Sequence, residues 1–153
     1  MFVKAANPQT GLIPNMANFD GTPQRMGGQF REDAWRCAMN WAVDWSWFAK
    51  DPRQQELTDR LQKFFESMGI DTYDDNWSLD GQPLCRRHSP GLVATTGWAS
   101  LCATDKERGK KFAEELWKLN VPSSNAFRYY DGLLYMMCVL HASGEFKAIM
   151  PKR

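Results

Sequence analysis

Asp33 and Arg36 stand three positions apart at the start of an apolar stretch, a spacing that puts both side chains on one helical face. A carboxylate oriented by a guanidinium can accept a proton in acid/base chemistry. The same two residues can equally be a capping aspartate with a local ion pair. Asp44 lies deeper in the same stretch and reads as a buried polar anchor. Two more polar clusters precede apolar stretches, Arg86-Arg87-His88-Ser89-Pro90 and Arg128-Tyr129-Tyr130-Asp131. Each by itself fits an ordinary surface or hydrogen-bonded role. If the three helix starts converge on one end of an axis, they line a pocket with carboxylate, arginine, histidine and tyrosine, and Trp35 and Trp41 wall it. That set suits a neutral, polyhydroxylated ligand.

Other chemistries find no support in the pattern. There is no nucleophile elbow, P-loop, GxGxxG or HExxH motif. The four cysteines (Cys37, Cys85, Cys102 and Cys138) form no CxxC pair, and the two histidines, His88 and His141, lie at no ligand-like spacing from them. Three of the thiols fall in apolar helical stretches, where a free cysteine behaves as a small hydrophobe, so reduced, buried thiols are expected. No metal and no cofactor is expected.

The 19 Lys and Arg against 18 Asp and Glu leave a net charge of +1, too balanced for a nucleic-acid or membrane-surface binder. No apolar run approaches the roughly 20 residues that cross a bilayer. The opening MFVKAANPQTGLIPN has no continuous apolar core of a signal peptide. A cytoplasmic location is favoured, with any signal peptide lying upstream of Met1. Seven Trp, nine Phe and four Tyr in 153 residues imply either a bulky core or a surface that stacks on rings.

Positioning falls to helices. Residues 1–31 are broken by Gly, Pro and Asn and read as an irregular loop. Five helices are expected across 33–142. The first, 33–49, is apolar nearly all round and must be buried on most sides. Asp51 and Pro52 start a second, amphipathic one that runs to about Met68, with Gln54 at the capping-box place. A polar connection over 70–87 carries a turn at Asp80-Gly81. A third, uncharged helix follows Ser89-Pro90. Thr104 opens a fourth in a capping box, amphipathic, to about Leu119. Asp131 caps a fifth that is apolar on all sides. Buried and amphipathic helices thus alternate, as they do when inner helices are wrapped by outer ones in an α/α barrel. Five helices make about half of such a ring, so the fold class is all-α.

Three ordered segments, FREDAWRCAMNWAVDWSWFAKD (preceded by FDGTPQ), LDGQPLCRRHSPGLVAT and FRYYDGLLYMMCVLHASGEF, resemble the C-terminal part of glycoside hydrolase family 8. Within it they are most similar to the reducing-end xylose-releasing exo-oligoxylanases, over nearly the whole chain. The resemblance implies that residues 1–153 are the C-terminal portion of one (α/α)6-barrel catalytic domain that hydrolyses β-1,4 bonds with inversion. It implies that Asp33 is the general base and that Arg36 belongs to the network around it. It further implies that Tyr129 and Tyr130 contact sugar and that His88 walls off the site beyond the reducing-end xylose.

The family's general acid is a Glu in the N-terminal half, and no motif here replaces it. A truncated segment, inactive alone, that awaits the missing half of the barrel is therefore expected. The alternative is a non-catalytic carbohydrate-binding or self-associating helical module.

Overall fold

The computed structural model describes residues 2–123 and 126–149. Its α-helices are α1 (Phe2–Ala5), α2 (Glu32–Phe48), α3 (Arg53–Ser67), α4 (Pro90–Trp98), α5 (Lys106–Lys118) and α6 (Tyr130–Ala142). A 3-10 turn, Ala99–Leu101, extends α4. The five long helices fall where the apolar periodicity placed them. The four-residue α1 lies in a stretch read as loop. Residues 1–31 are nevertheless well anchored among those described: Leu12, Ile13 and Phe30 are buried, and Phe30 forms an antiparallel bridge with Trp77.

The layering follows from which faces are apolar. Every residue of α4 from Gly91 to Trp98 is buried, and the helix packs against α2, α5 and α6. The α4–α5 contact is close enough that a Cβ on Gly97 would lie 2.7 Å from Leu116 Cβ and 2.9 Å from the Phe112 carbonyl oxygen. Only glycine lets these two backbones approach so nearly. Helices α3 and α5 each bury one stripe (Leu57, Leu61, Phe64 and Phe65; Phe112 and Leu116) and turn their charges outward. Helix α2 is less enclosed than its composition implies. Ala34, Trp35, Ala38, Met39, Trp41 and Ala42 are buried, whereas Asp33, Arg36, Asn40 and Asp44 form an exposed row. Asp44 is thus a surface carboxylate that accepts from Gln54 Nε2, not a buried anchor. Helix α6 buries Asp131, Leu134, Cys138 and His141 but leaves Leu133, Met136 and Leu140 exposed.

Helix caps shift by a residue or change partner. Asp105, not Thr104, caps α5 by accepting from the Arg108 N–H at 3.0 Å, while Thr104 bonds Asp59 on α3. Asp51 accepts from the Arg53 N–H at 3.1 Å, but Gln54 reaches Asp44 and closes no capping box. In each case a tertiary partner takes the side chain that a local motif would have used. All four cysteines are free, and burial pushes the Cys37 thiol up to about 12 and that of Cys102 to about 11.

The far end of α6 holds a buried imidazole. His141 is edge-on to Trp98 at 4.2 Å and tilted on Phe146 at 3.9 Å, and its Nδ1 has no partner among the described residues. Burial lowers its pKa. The unfolded chain therefore binds this proton more tightly, and stability is full above about pH 6.5 and declines as pH falls through that value. The melting temperature is expected to drop between about pH 7.5 and pH 5.5. His141→Leu should flatten that drop; an unchanged slope would assign it to other groups.

Candidate active site

The starts of α2, α4 and α6 meet at one end of the helical layer. Asn15 Oδ1 accepts from the Asp33 N–H at 2.8 Å and so fixes the first turn of α2. Asp33 Oδ1 accepts from Arg36 Nη2 at 2.7 Å, with both side chains about half exposed. An ion pair this open contributes under about 1 kcal/mol, so its effect is orientation. Beside it lies a cavity of 90 Å³ lined by Asp33, Asn15, Cys37 and Phe2. Glu32 is engaged by Arg31 at 3.2 Å.

Helix α6 closes on α2 through Tyr130, whose hydroxyl donates to the Glu32 carbonyl at 2.6 Å. Its ring lies 6.1 Å from that of Trp35, and burial raises the phenol to about 12. Tyr129 next to it is 82% exposed and free to touch a ligand. Asp131 is buried and reaches back to α4, accepting from Ser89 Oγ and, at 2.9 Å, from the Gly91 N–H. A Cβ on Gly91 would sit 2.9 Å from that same carboxylate oxygen, so the bond requires glycine there. Asp131 therefore ties two helices together and does not cap its own.

The connection before α4 supplies the remaining groups. His88 Nδ1 lies 2.6 Å from the Tyr73 carbonyl oxygen, and its ring stands edge-on to Tyr73 at 4.7 Å. His88, Arg86, Arg87, Asp71 and Asp74 border an open groove of 530 Å³. Arg87 donates through Nε to Asp75 and lies 3.8 Å from Glu32. Asp75 is wholly buried, accepts from Cys85 Sγ at 3.0 Å, and its carbonyl accepts from Trp35 Nε1 at 3.1 Å. Nothing in the run Tyr73-Asp74-Asp75-Asn76 marks one carboxylate as the buried one; only the fold selects it.

Asp33, Arg36, His88, Tyr129 and Tyr130 thus belong to segments that converge. The two tryptophans sit otherwise. Trp35 is 1% exposed, enclosed beneath the mouth by Tyr130 and the Asp75 carbonyl, and offers no free ring face. Trp41 is also buried, edge-on to Phe2 at 6.2 Å. It lines a separate groove of 480 Å³ with Asn40, Asp44 and Gln54. Their apolar rings satisfy the core rather than the pocket. Among the described residues no group of three His, Cys, Asp or Glu side chains is placed to hold a metal. No described helix is long and apolar enough to cross a membrane. A half-exposed carboxylate oriented by Arg36, at helix starts whose neighbouring segments carry Tyr130 and His88, can activate a water against a bound polyhydroxylated molecule.

No family model matches the chain. It is 38% identical over 150 residues to the reducing-end xylose-releasing exo-oligoxylanase Rex8A of Paenibacillus barcinonensis, an alignment covering 94% of this chain and 39% of the relative. It is 34% identical over 152 residues to the reducing end xylose-releasing exo-oligoxylanase of Halalkalibacterium halodurans, with 97% and 39% covered. Among solved structures it superposes on a GH8 xylobiose complex from Teredinibacter turnerae with a TM-score of 0.89 and 42% identity, covering 98% of this chain and 39% of that one. The chain spans about two fifths of the length of the relatives it matches.

Proposed function

The chain matches the C-terminal part of family 8 glycoside hydrolases, and from that premise we propose that it carries the general-base side of an inverting hydrolase acting on β-1,4-linked xylo-oligosaccharides. Family 8 structures are (α/α)6 barrels, and this chain covers part of one. The observation that carries the reading is Asp33, half exposed at the convergent helix starts, with one oxygen held by Arg36 and its amide held by Asn15.

In the proposed reaction Asp33 takes a proton from water as the water oxygen attacks the anomeric carbon. The bond to the leaving sugar breaks from the opposite face, and a carboxylic acid protonates the departing oxygen. Glu32 is not that acid: it is committed to Arg31, and it adjoins Asp33 in sequence instead of facing it across a sugar. Inverting chemistry needs carboxyl groups roughly 6.5–9.5 Å apart across the bond, and the acid is assigned to a part of the barrel beyond these residues, as the resemblance implies. Arg36 orients the base. Tyr129, Tyr130 and His88 bind sugar, His88 closing the reducing-end side so that single xylose units leave. Trp35 supports the mouth from below.

The test uses the 153-residue chain with xylotriose, alone and mixed with the N-terminal portion of the Paenibacillus relative. Xylose release is expected only in the mixture, and proton NMR should show the α anomer of the newly formed reducing end first, as inversion at a β bond requires. Release of the β anomer first, or none from the mixture, would overturn the assignment. A second reading, a non-catalytic self-associating module, is favoured by the exposed row Leu133, Met136 and Leu140 on α6. A discrete, inactive dimer in light scattering would support it.

A further inference from the structure

Resting on the sugar-binding reading of this mouth, we propose that Arg87 is a ligand-contacting, specificity-determining residue and that buried Asp75 is the positioning residue that holds it. Asp75 is 0% exposed and can touch no ligand. One of its carboxylate oxygens is taken by Arg87 Nε and the other by the Cys85 thiol. A buried carboxylate left without its cation is costly, so this pairing fixes the guanidinium firmly. The same bond raises the Arg87 pKa and keeps the group charged.

Arg87 is itself half exposed. Its inner edge is spent on Asp75, and Nη2 lies 3.8 Å from Glu32, the neighbour of Asp33. Its carbon Cζ stands 5.9 Å over the Phe127 ring, at the approach to α6. Three chain segments therefore immobilise one planar fork at the place where the helix starts meet. The guanidinium keeps N–H donors on its outer edge, spaced to reach two neighbouring acceptor oxygens. Adjacent hydroxyls of a pyranose present such a pair. Glu32 and Asp75 already balance the cation, so the fork favours a neutral oligosaccharide over one bearing an acid. Because the side chain is ordered before binding, little rotamer entropy is lost when ligand arrives.

The experiment measures the xylotriose dissociation constant by calorimetry for the full chain and for Arg87→Met, Arg87→Lys, Asp75→Asn and the double variant Asp75→Asn/Arg87→Met. Melting temperature is followed in parallel. Arg87→Met is expected to weaken binding about tenfold, the lost bonds being charge-assisted. It should also lower the melting temperature, because it leaves the Asp75 carboxylate buried without its cation. The double variant, which removes both charges, should recover part of that stability and still bind weakly. Arg87→Lys should not restore affinity, because an ammonium cannot supply the fork. Asp75→Asn should weaken binding by a similar factor, and the double variant no further, the coupling expected of one unit. Binding by the unaltered chain with Arg87→Met within twofold of it would overturn this inference and leave the hydrolase reading standing. No xylotriose binding by the unaltered chain would overturn this inference, and the hydrolase reading is then decided separately by xylose release from the mixture. Arg87→Met weakening binding while folded Asp75→Asn does not would remove Asp75 from the positioning role. If Asp75→Asn does not fold, the Met and Lys variants decide, and full affinity in Arg87→Lys overturns the fork.

Discussion

Replacing Asp33 by Asn is expected to lower xylose release by the completed barrel about 10²- to 10⁴-fold while leaving xylotriose affinity within a small factor, the signature of a lost general base. Asn keeps the size of Asp and its place in the first turn, where the backbone N–H remains bonded to Asn15. It cannot take up the proton of the attacking water. The partner left behind, Arg36, is about half exposed, so water replaces the lost ion pair and folding changes by under about 1 kcal/mol. Steady-state release and calorimetric binding on the same preparation separate these effects. Activity retained in Asp33→Asn would place the base elsewhere. Loss of both activity and affinity would make Asp33 a binding group.

The largest effect on stability is expected at Asp131. Its carboxylate is buried between α6 and α4 and accepts from the Ser89 hydroxyl and the Gly91 N–H. Asp131→Ala leaves both donors buried without an acceptor and opens a small void. Each unsatisfied group costs about 1–3 kcal/mol, so a loss of about 2–5 kcal/mol is expected in urea unfolding. Asp131→Asn keeps one acceptor oxygen and should lose less than Ala. A loss under about 1 kcal/mol in Asp131→Ala would show that solvent reaches the site and satisfies the donors.

Helix positions were legible because burial imposes a period on the sequence. The stripe Leu57, Leu61, Phe64 and Phe65 predicts α3, and the continuous apolar stretch after Pro90 predicts the enclosed α4. The alternation of enclosed and one-faced helices was enough to read the two layers. What composition could not tell was which side of an apolar helix stays open. Asp44 looked buried because its neighbours are aromatic, yet it falls on the exposed row with Arg36 and Asn40. Trp35 and Trp41 invited a ligand-stacking role by residue type, but burial depends on what packs over them: Tyr130 for one, Phe2 for the other. Side chains whose partners lie far along the chain were the least legible. Asp131 passes for the cap of its own helix until Ser89 and Gly91 are seen beside it, and Asp75 carries no local mark at all. Asp33 and Arg36 were legible because their geometry is local, one turn of one helix.

The hydrogen bond from Tyr130 to the Glu32 carbonyl spans 98 positions of sequence, whereas the α4–α5 contact at Gly97 joins neighbours in the chain. Closing a long loop costs more chain entropy than closing a short one, and that entropy must be lost before the contact returns anything. The α4–α5 contact is therefore expected to form before the bond between Tyr130 and Glu32. The bond that brings the last helix onto the first turn of α2 forms late. The joint between α2 and α6 at the mouth is thus a late contact, whereas the Asp33–Arg36 turn, being local, does not wait for it.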